Sequence, residues 1–361
     1  MIAQSSPGVK PKLTSLFFYL TWNCNLRCVH CCVDADEVEI KKEECTTDEI
    51  ESFLDQTLSH PINSIKFSGG EPLSRWDKIV AIINKTKMFN ISYSIETNGI
   101  LLDKEKLSFL KEHKCTIHFS LNGVSSEEHD AFTGVKGSFD KAIKTLKMMK
   151  KMEYAPEEII TCIAPGDIDD ISNRVNFLGK FGSNRIKINP IIPVGRGLEF
   201  SKNTGEFSVE NYHSLTSKVD EIREVVGFEV YLHTSFCLRS FSAFKGGNVS
   251  RCGLVNILSF LPDASLSLCG YGGIDSSVVV DKWNATSDLK MIWETSQLLN
   301  NLREAQGKNL KGACSKCLHL QACQGDCRVL SYKKFGRWDM PMPICQEMWE
   351  ANNFPKSRIR V

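Results

Sequence analysis

The chain has 361 residues, 42% hydrophobic and 24% charged, a balance that fits a globular fold with ample material for a buried core. Lys and Arg number 44 against 43 Asp and Glu, so the net charge of +1 supplies no field toward nucleic acid or an anionic membrane. No apolar run approaches the ~18 residues of a membrane span. The stretch Met1–Thr14 also lacks the basic-then-apolar order of a secretory signal, so a cytoplasmic location is expected.

From Leu16 the pattern alternates strand-like and helix-like segments. A strand is predicted at Leu16–Thr21, followed by a helix over Thr47–Ser59 that opens on a capping box, with Thr46 at the cap and Glu49 three residues later. Strand Ile65–Ser68 then leads to helix Asp77–Thr86, Ile91–Thr97 to Lys104–His113, and Cys115–Leu121 to Phe139–Met152. Glu158–Ile163 precedes helix Ile168–Phe181, Arg185–Ile191 precedes Val209–Val226, and Phe228–His233 closes the series. Such repeats imply a parallel sheet with right-handed crossovers, an α/β fold. Six or seven units fall short of the usual eight, so a partial (β/α)6 TIM-type barrel is expected. Lysines 141, 144, 147, 150 and 151 read as the solvated face of one helix. After about Thr234 the rhythm breaks into cysteines, glycines and short segments, with one helix near Ser287–Gln306. These boundaries give a tail over 1–15, a barrel over 16–235 and a cysteine-rich extension over 236–361, with a mobile end from Asn352.

Fifteen cysteines in a reducing compartment argue for metal or cluster ligation over a disulfide framework. Cys24, Cys28 and Cys31 form a C-x3-C-x2-C motif directly after the first strand, at the rim where α/β-barrel active sites gather. Three thiolates can hold three irons of a 4Fe–4S cluster and leave the fourth open; they also suit zinc. Downstream, Cys314, Cys317, Cys323 and Cys327 form a C-x2-C-x5-C-x3-C run, followed by Cys345 and preceded by Cys252 and Cys269. Seven cysteines exceed the needs of one zinc and could supply most ligands of two clusters. Of the others, Cys115 and Cys162 lie in strand-like runs and read as core thiols.

The first motif resembles the signature of the radical SAM superfamily, and the resemblance extends over the barrel. Ser68-Gly69-Gly70-Glu71-Pro72 follows the second strand and is similar to the family's GGEP element, which receives the methionyl amino group of S-adenosylmethionine. Paired glycines let backbone approach a ligand, and Glu71 can accept from an ammonium. Thr97-Asn98-Gly99 and Ser120-Leu121-Asn122-Gly123 resemble ribose-side contacts, with Asn122 standing where many members have Asp. Arg196, after the sixth strand, resembles the residue that meets the methionyl carboxylate. His30 matches an aromatic position whose backbone lies against adenine.

The C-terminal cysteines resemble the SPASM extension of radical SAM peptide-modifying enzymes. Pro262-Asp263, Ile292-Trp293, Arg303 and Gln324-Gly325-Asp326-Cys327-Arg328 carry that likeness. It implies a nearer auxiliary cluster on Cys252, Cys269 and Cys327 and a farther one on Cys314, Cys317, Cys323 and Cys345. The nearer set is one ligand short: either it keeps an open iron for substrate, or another residue completes it, with Cys237 the first candidate. The expected cofactors are therefore S-adenosylmethionine and three iron–sulfur clusters of 4Fe–4S type.

The resemblance implies reductive cleavage to a 5′-deoxyadenosyl radical and maturation of a ribosomally made precursor peptide through a carbon–carbon or thioether crosslink. Alternatives are a peptide epimerase with Cys237 as catalytic hydrogen donor, radical oxidation of a small molecule, and a non-enzymatic zinc- or cluster-stabilised scaffold. Sulfatase maturation fits less well, because Gly270 stands where those enzymes often carry Asp. An electron donor such as flavodoxin or ferredoxin is expected. About fifteen residues precede the first strand, too few for an added leader-binding domain, so a separate leader-peptide-binding protein is a further expected partner.

Overall fold

The computed structural model describes residues 11–35, 43–240, 244 and 252–360. Seven strands follow in chain order: β1 (Ser15–Tyr19), β2 (Ser64–Ser68), β3 (Ser92–Thr97), β4 (Thr116–Ser120), β5 (Glu158–Ile163), β6 (Arg185–Pro190) and β7 (Glu229–Leu232). Each runs parallel to the one before it, as the helical crossovers require. The other edge of β1 takes a parallel strand from the cysteine-rich region, β8 (Ile257–Phe260), with Leu16 opposite Leu258. Strands β9 (Ser265–Ser267) and β10 (Val279–Lys282) follow antiparallel. The order is β10-β9-β8-β1-β2-β3-β4-β5-β6-β7, so β1 and β7 do not pair and the barrel is open.

The period-two pattern decides which side is which. Leu16 and Phe18 of β1, Ile65 and Phe67 of β2, Ile117 and Phe119 of β4, and Ile186 and Ile188 of β6 are buried in the main core. Their neighbours in sequence, including Lys66, Glu96, His118, Arg185 and Lys187, are only partly buried and face the concave side. Helices cover the apolar face. Helix Thr47–Thr57 opens on the expected box: Glu49 N donates to Thr46 Oγ1 (3.2 Å) and Thr46 N to Glu49 Oε2 (2.8 Å). Lysines 141, 144, 147, 150 and 151 are all exposed on helix Ser138–Lys151.

Two expectations change. The helix expected over Ser287–Gln306 is two, Leu289–Thr295 and Gln297–Glu304, because Ser296 is extended (ψ 123°) and caps the second by accepting from Leu299 N. The end of the chain is docked: Phe354 and Arg358 are buried, Ile359 bridges Cys317, and Leu318 N donates to Arg358 O at 2.8 Å. Among the described residues no helix is long and apolar enough to cross a membrane.

Candidate functional site

Beyond β1 the chain turns through Thr21–Asn23 into Cys24, braced against the loop after β2. Leu20 N donates to Ser68 O (3.0 Å), Gly70 N to Thr21 O (2.7 Å) and Glu71 N to Asn23 O (2.9 Å). A Cβ on Gly70 would stand 2.2 Å from Asn23 O, and one on Gly69 (φ +136°) 2.6 Å from Thr21 O. The glycines are therefore demanded by the protein's own backbone, not only by ligand approach as the sequence suggested.

Cys24, Cys28 and Cys31 share this loop, with Cys31 N donating to Cys28 O at 3.2 Å. Burial pushes the Cys24 thiol up to about 12. It pushes Cys28 higher still, with the Cys24 and Cys31 sulfurs adding to the effect. Such thiols become thiolates only beside added positive charge, which bound irons supply. Among the described residues no three His, Cys, Asp or Glu side chains converge on a single ion. Three thiols on one loop are a donor set that three irons of a cluster can take, one to each thiolate. The donor set thus fits a cluster. His30 Nδ1 is buried without a hydrogen-bond partner among the described residues, and its ring packs tilted against Phe132, with centroids 4.7 Å apart. Burial, assisted by Arg196, lowers the His30 pKa to about 4, so the ring is neutral at pH 7.

Glu71, the residue expected to face an ammonium, accepts three hydrogen bonds from the protein itself. Its Oε1 accepts from Thr97 Oγ1 (2.6 Å) and Leu73 N (3.1 Å), and Oε2 from Asn98 N (3.0 Å). Burial raises its pKa to about 7 against the pull of these three bonds. Glu71 therefore ties the loop after β2 to the end of β3. Asn98 extends the tie by donating Nδ2–H to Asn25 Oδ1 (2.8 Å), inside the cysteine motif. Arg196 closes the loop from the other side. Its backbone N donates to Cys31 O (3.0 Å), Nε to Cys28 O (2.9 Å) and Nη1 to Ala35 O (2.7 Å). Ser120 ends β4 at the same rim, and Asn122 beyond it accepts from Cys162 N (2.8 Å) and donates its own N–H to His129 Nδ1 (3.1 Å).

Two residues at this rim escaped the sequence reading. Asn25 looks like a spacer between cysteines, and only the fold supplies its partner. Cys162 was expected in the core; instead it falls in step with Glu158 and Ile160 on the concave side of β5, and the strand's alternation could have shown it. Across that side Glu96, His118, Glu158, Arg185 and Glu229 stand in register on successive strands. Lys66 pairs with Glu96, while Glu158 meets His118 Nδ1 at 2.8 Å and Arg185 Nε at 2.9 Å. Burial alone would raise the Glu158 pKa. The His118 hydrogen bond and the Lys187 and Arg185 charges outweigh it, holding the carboxyl at about 2.

The C-terminal cysteines fall into two groups. Cys252, Cys269 and Cys327 lie within mutual electrostatic reach. Burial, with Cys327 adding, brings the Cys269 thiol to about 12. Cys269 follows β9, and Cys327 caps helix Arg328–Phe335. Arg328 is fully buried behind it and donates to Trp338 O at 3.0 Å and Ser331 Oγ at 2.9 Å. Cys314, Cys317, Cys323 and Cys345 line one cavity, which Cys237 and Asp326 share. Cys237, the residue expected to complete the nearer set, is instead 3.4 Å from Cys345 Sγ in the farther one. The turn Phe236–Leu238 is held there by Ser235 Oγ donating to Asp326 Oδ2 (3.0 Å) and by Arg358 Nη2 donating to Arg239 O (2.7 Å).

A family model described as the Radical SAM superfamily matches residues 18–178. The chain is 26% identical over 352 residues to mycofactocin maturase MftC of Mycolicibacterium smegmatis, covering 96% of this chain and 86% of that protein. It is 24% identical over 346 residues to AdoMet-dependent heme synthase of Methanosarcina barkeri, covering 90% and 94%. The fold resembles native anSMEcpe with bound AdoMet, with a TM-score of 0.73 at 18% identity, over 94% of this chain and 95% of that one. It also resembles Streptococcus suis SuiB bound to precursor peptide SuiA, with a TM-score of 0.69 at 19% identity, over 94% and 76%. Residues 18–178 thus form a radical SAM domain, and the chain is an enzyme whose cofactors are S-adenosylmethionine and iron–sulfur clusters.

Proposed function

We propose that this enzyme matures a ribosomally made peptide by joining two of its side chains through a carbon–carbon or thioether bond. The observation that carries the reading is the full-length likeness to mycofactocin maturases, combined with two groups of thiols on a region that shares the barrel's own sheet. When bound, S-adenosylmethionine and its cluster supply a radical that removes hydrogen from an unactivated C–H bond.

Cys24, Cys28 and Cys31 hold the catalytic cluster, and the hydrogen bonds of Arg196 keep their loop in shape. His30, Ser68, Gly69, Gly70, Thr97, Asn98, Ser120 and Asn122 form the rim on which S-adenosylmethionine sits, with Glu71 fixing the rim from beneath. The charged concave face positions the peptide. Region 236–361 forms the auxiliary unit, with Cys252, Cys269 and Cys327 at one site and Cys314, Cys317, Cys323 and Cys345 at the other. A flavodoxin- or ferredoxin-type donor, a separate leader-binding protein and a cytoplasmic setting complete the reading.

A second reading, radical oxidation of a small molecule, is favoured by the likeness to AdoMet-dependent heme synthase. The test is to incubate the loaded enzyme with candidate precursor peptides and record each peptide's mass. Loss of two hydrogens, with 5′-deoxyadenosine release stimulated by the peptide, is expected. An unchanged peptide, with release stimulated only by a tetrapyrrole, would replace the first reading by the second. Solvent deuterium in a peptide of otherwise unchanged mass would mean epimerisation.

A further inference from the structure

The C-terminal cavity holds one thiol more than a cluster needs. A 4Fe–4S cluster takes four cysteine ligands, and Cys314, Cys317, Cys323 and Cys345 already make four. Cys237 also lines this cavity, and its Sγ lies 3.4 Å from that of Cys345, although the two are 108 residues apart. Both side chains are buried, with 4% and 8% exposure. The short separation has a consequence for ligation. Ligands of one cluster bind different irons at different corners, so two sulfurs in contact address the same corner.

The surroundings hold Cys237 in place. Its turn follows β7 and is clamped on both sides, by Ser235 to Asp326 and by the Arg239 carbonyl to Arg358. Ala313, Ile344, Met348 and Phe354 pack with Cys237 and Cys345 in one apolar cluster. The thiol thus has no route to the concave face of the barrel without breaking those contacts.

From this geometry we infer that Cys237 and Cys345 are alternative ligands of one iron at the C-terminal auxiliary site, either thiol able to hold that corner when the other is released. The inference rests on the reading of this site as an iron–sulfur centre. The exchange is redox-neutral: the arriving thiol gives up its proton as it binds, and the departing thiolate takes one up. The corner keeps a single sulfur ligand, and no electron moves. Such a corner can free a thiol or change its ligand without losing the cluster, a property the other three corners lack.

The test uses the full chain, reconstituted anaerobically with iron and sulfide, as wild type, C237A, C345A, the double variant C237A/C345A, and C323A as a corner without a second thiol. Wild type should hold roughly twelve irons if all three sites are 4Fe–4S. C237A and C345A should each keep that content, while C345A shifts the electron paramagnetic resonance line shape of the reduced site. C323A and the double variant should each lose about a third of the iron. Circular dichroism of every variant checks that the barrel is folded. If C345A alone loses as much iron as the double variant while remaining folded, Cys237 is not a ligand and the inference is overturned. The same holds if C323A keeps its iron, because any corner would then be dispensable. Zinc in this site, or roughly eight irons in wild type, would instead remove the reading beneath it.

Discussion

Replacing Glu71 by Gln tests how the rim is held, because it keeps the shape of the side chain and removes only its charge. Glu71 is 1% exposed, and burial lifts its pKa to about 7 from an unfolded value near ~4.3. A carboxyl raised in the folded state binds its proton more tightly there than in the unfolded chain. Its contribution to stability is therefore fully present below about pH 4.3 and is lost as pH rises through about 7. The whole change is about 4 kcal/mol, of which about 2 kcal/mol falls between pH ~5.5 and ~8, where the clusters can be kept.

Glu71→Gln cannot ionise, so this slope disappears. In exchange, Gln offers one acceptor oxygen where the carboxylate offers two to Thr97 Oγ1, Leu73 N and Asn98 N. The unmet donor costs about 1–3 kcal/mol at every pH. Anaerobic guanidinium denaturation of both proteins across that range, followed by tryptophan fluorescence, gives the difference curve, in which groups common to both cancel. The variant should gain about 2 kcal/mol on wild type as pH rises from ~5.5 to ~8. Parallel curves would refute the buried, proton-binding Glu71.

Three further outcomes follow from the same geometry. Gly70→Ala places a methyl group 2.2 Å from Asn23 O; overpacking of this kind costs about 1–3 kcal/mol, and iron assay should find the N-terminal site underfilled while the C-terminal sites stay loaded. Arg196→Lys leaves one ammonium to serve the carbonyls of Cys28 and Ala35. The loss of a charge-assisted bond, about 1.5–3 kcal/mol, should speed iron release to a chelator, and an unchanged release rate would count against the clamp. Glu158→Gln removes the carboxylate that His118 and Arg185 share and should lower the unfolding midpoint by the equivalent of about 2–4 kcal/mol at pH 7. Because the Glu158 pKa is depressed to about 2, that stabilisation is present above about pH 4.3 and is lost toward pH 2 in wild type only.

The barrel was legible because its strands alternate and its helices carry apolar stripes: Glu158–Ile163 was bounded to the residue, and Thr46 and Glu49 marked a helix start that the fold uses. What escaped was set by contacts distant in sequence. The strands β8 to β10 are only three or four residues long, too short for periodicity to register. Ser296 splits a helix because its side chain caps the next turn, a competition that an amphipathic pattern does not display. Chain termini are usually loose, yet here Phe354 lines the C-terminal cavity and Arg358 is buried, donating to Arg239 O. The motif residues gather on one rim, but the motifs did not say which way Glu71 and Arg196 point. The neighbourhood of Cys237 was beyond spacing altogether, since its partner lies 108 residues away.

The most direct test of the central claim compares wild type with a C24A/C28A/C31A variant, each reconstituted anaerobically and incubated with S-adenosylmethionine and dithionite. The account predicts 5′-deoxyadenosine from wild type, none from the variant, and C-terminal iron retained in both. Cleavage that survives loss of the three cysteines, or an iron-loaded wild type that releases no 5′-deoxyadenosine, would contradict it.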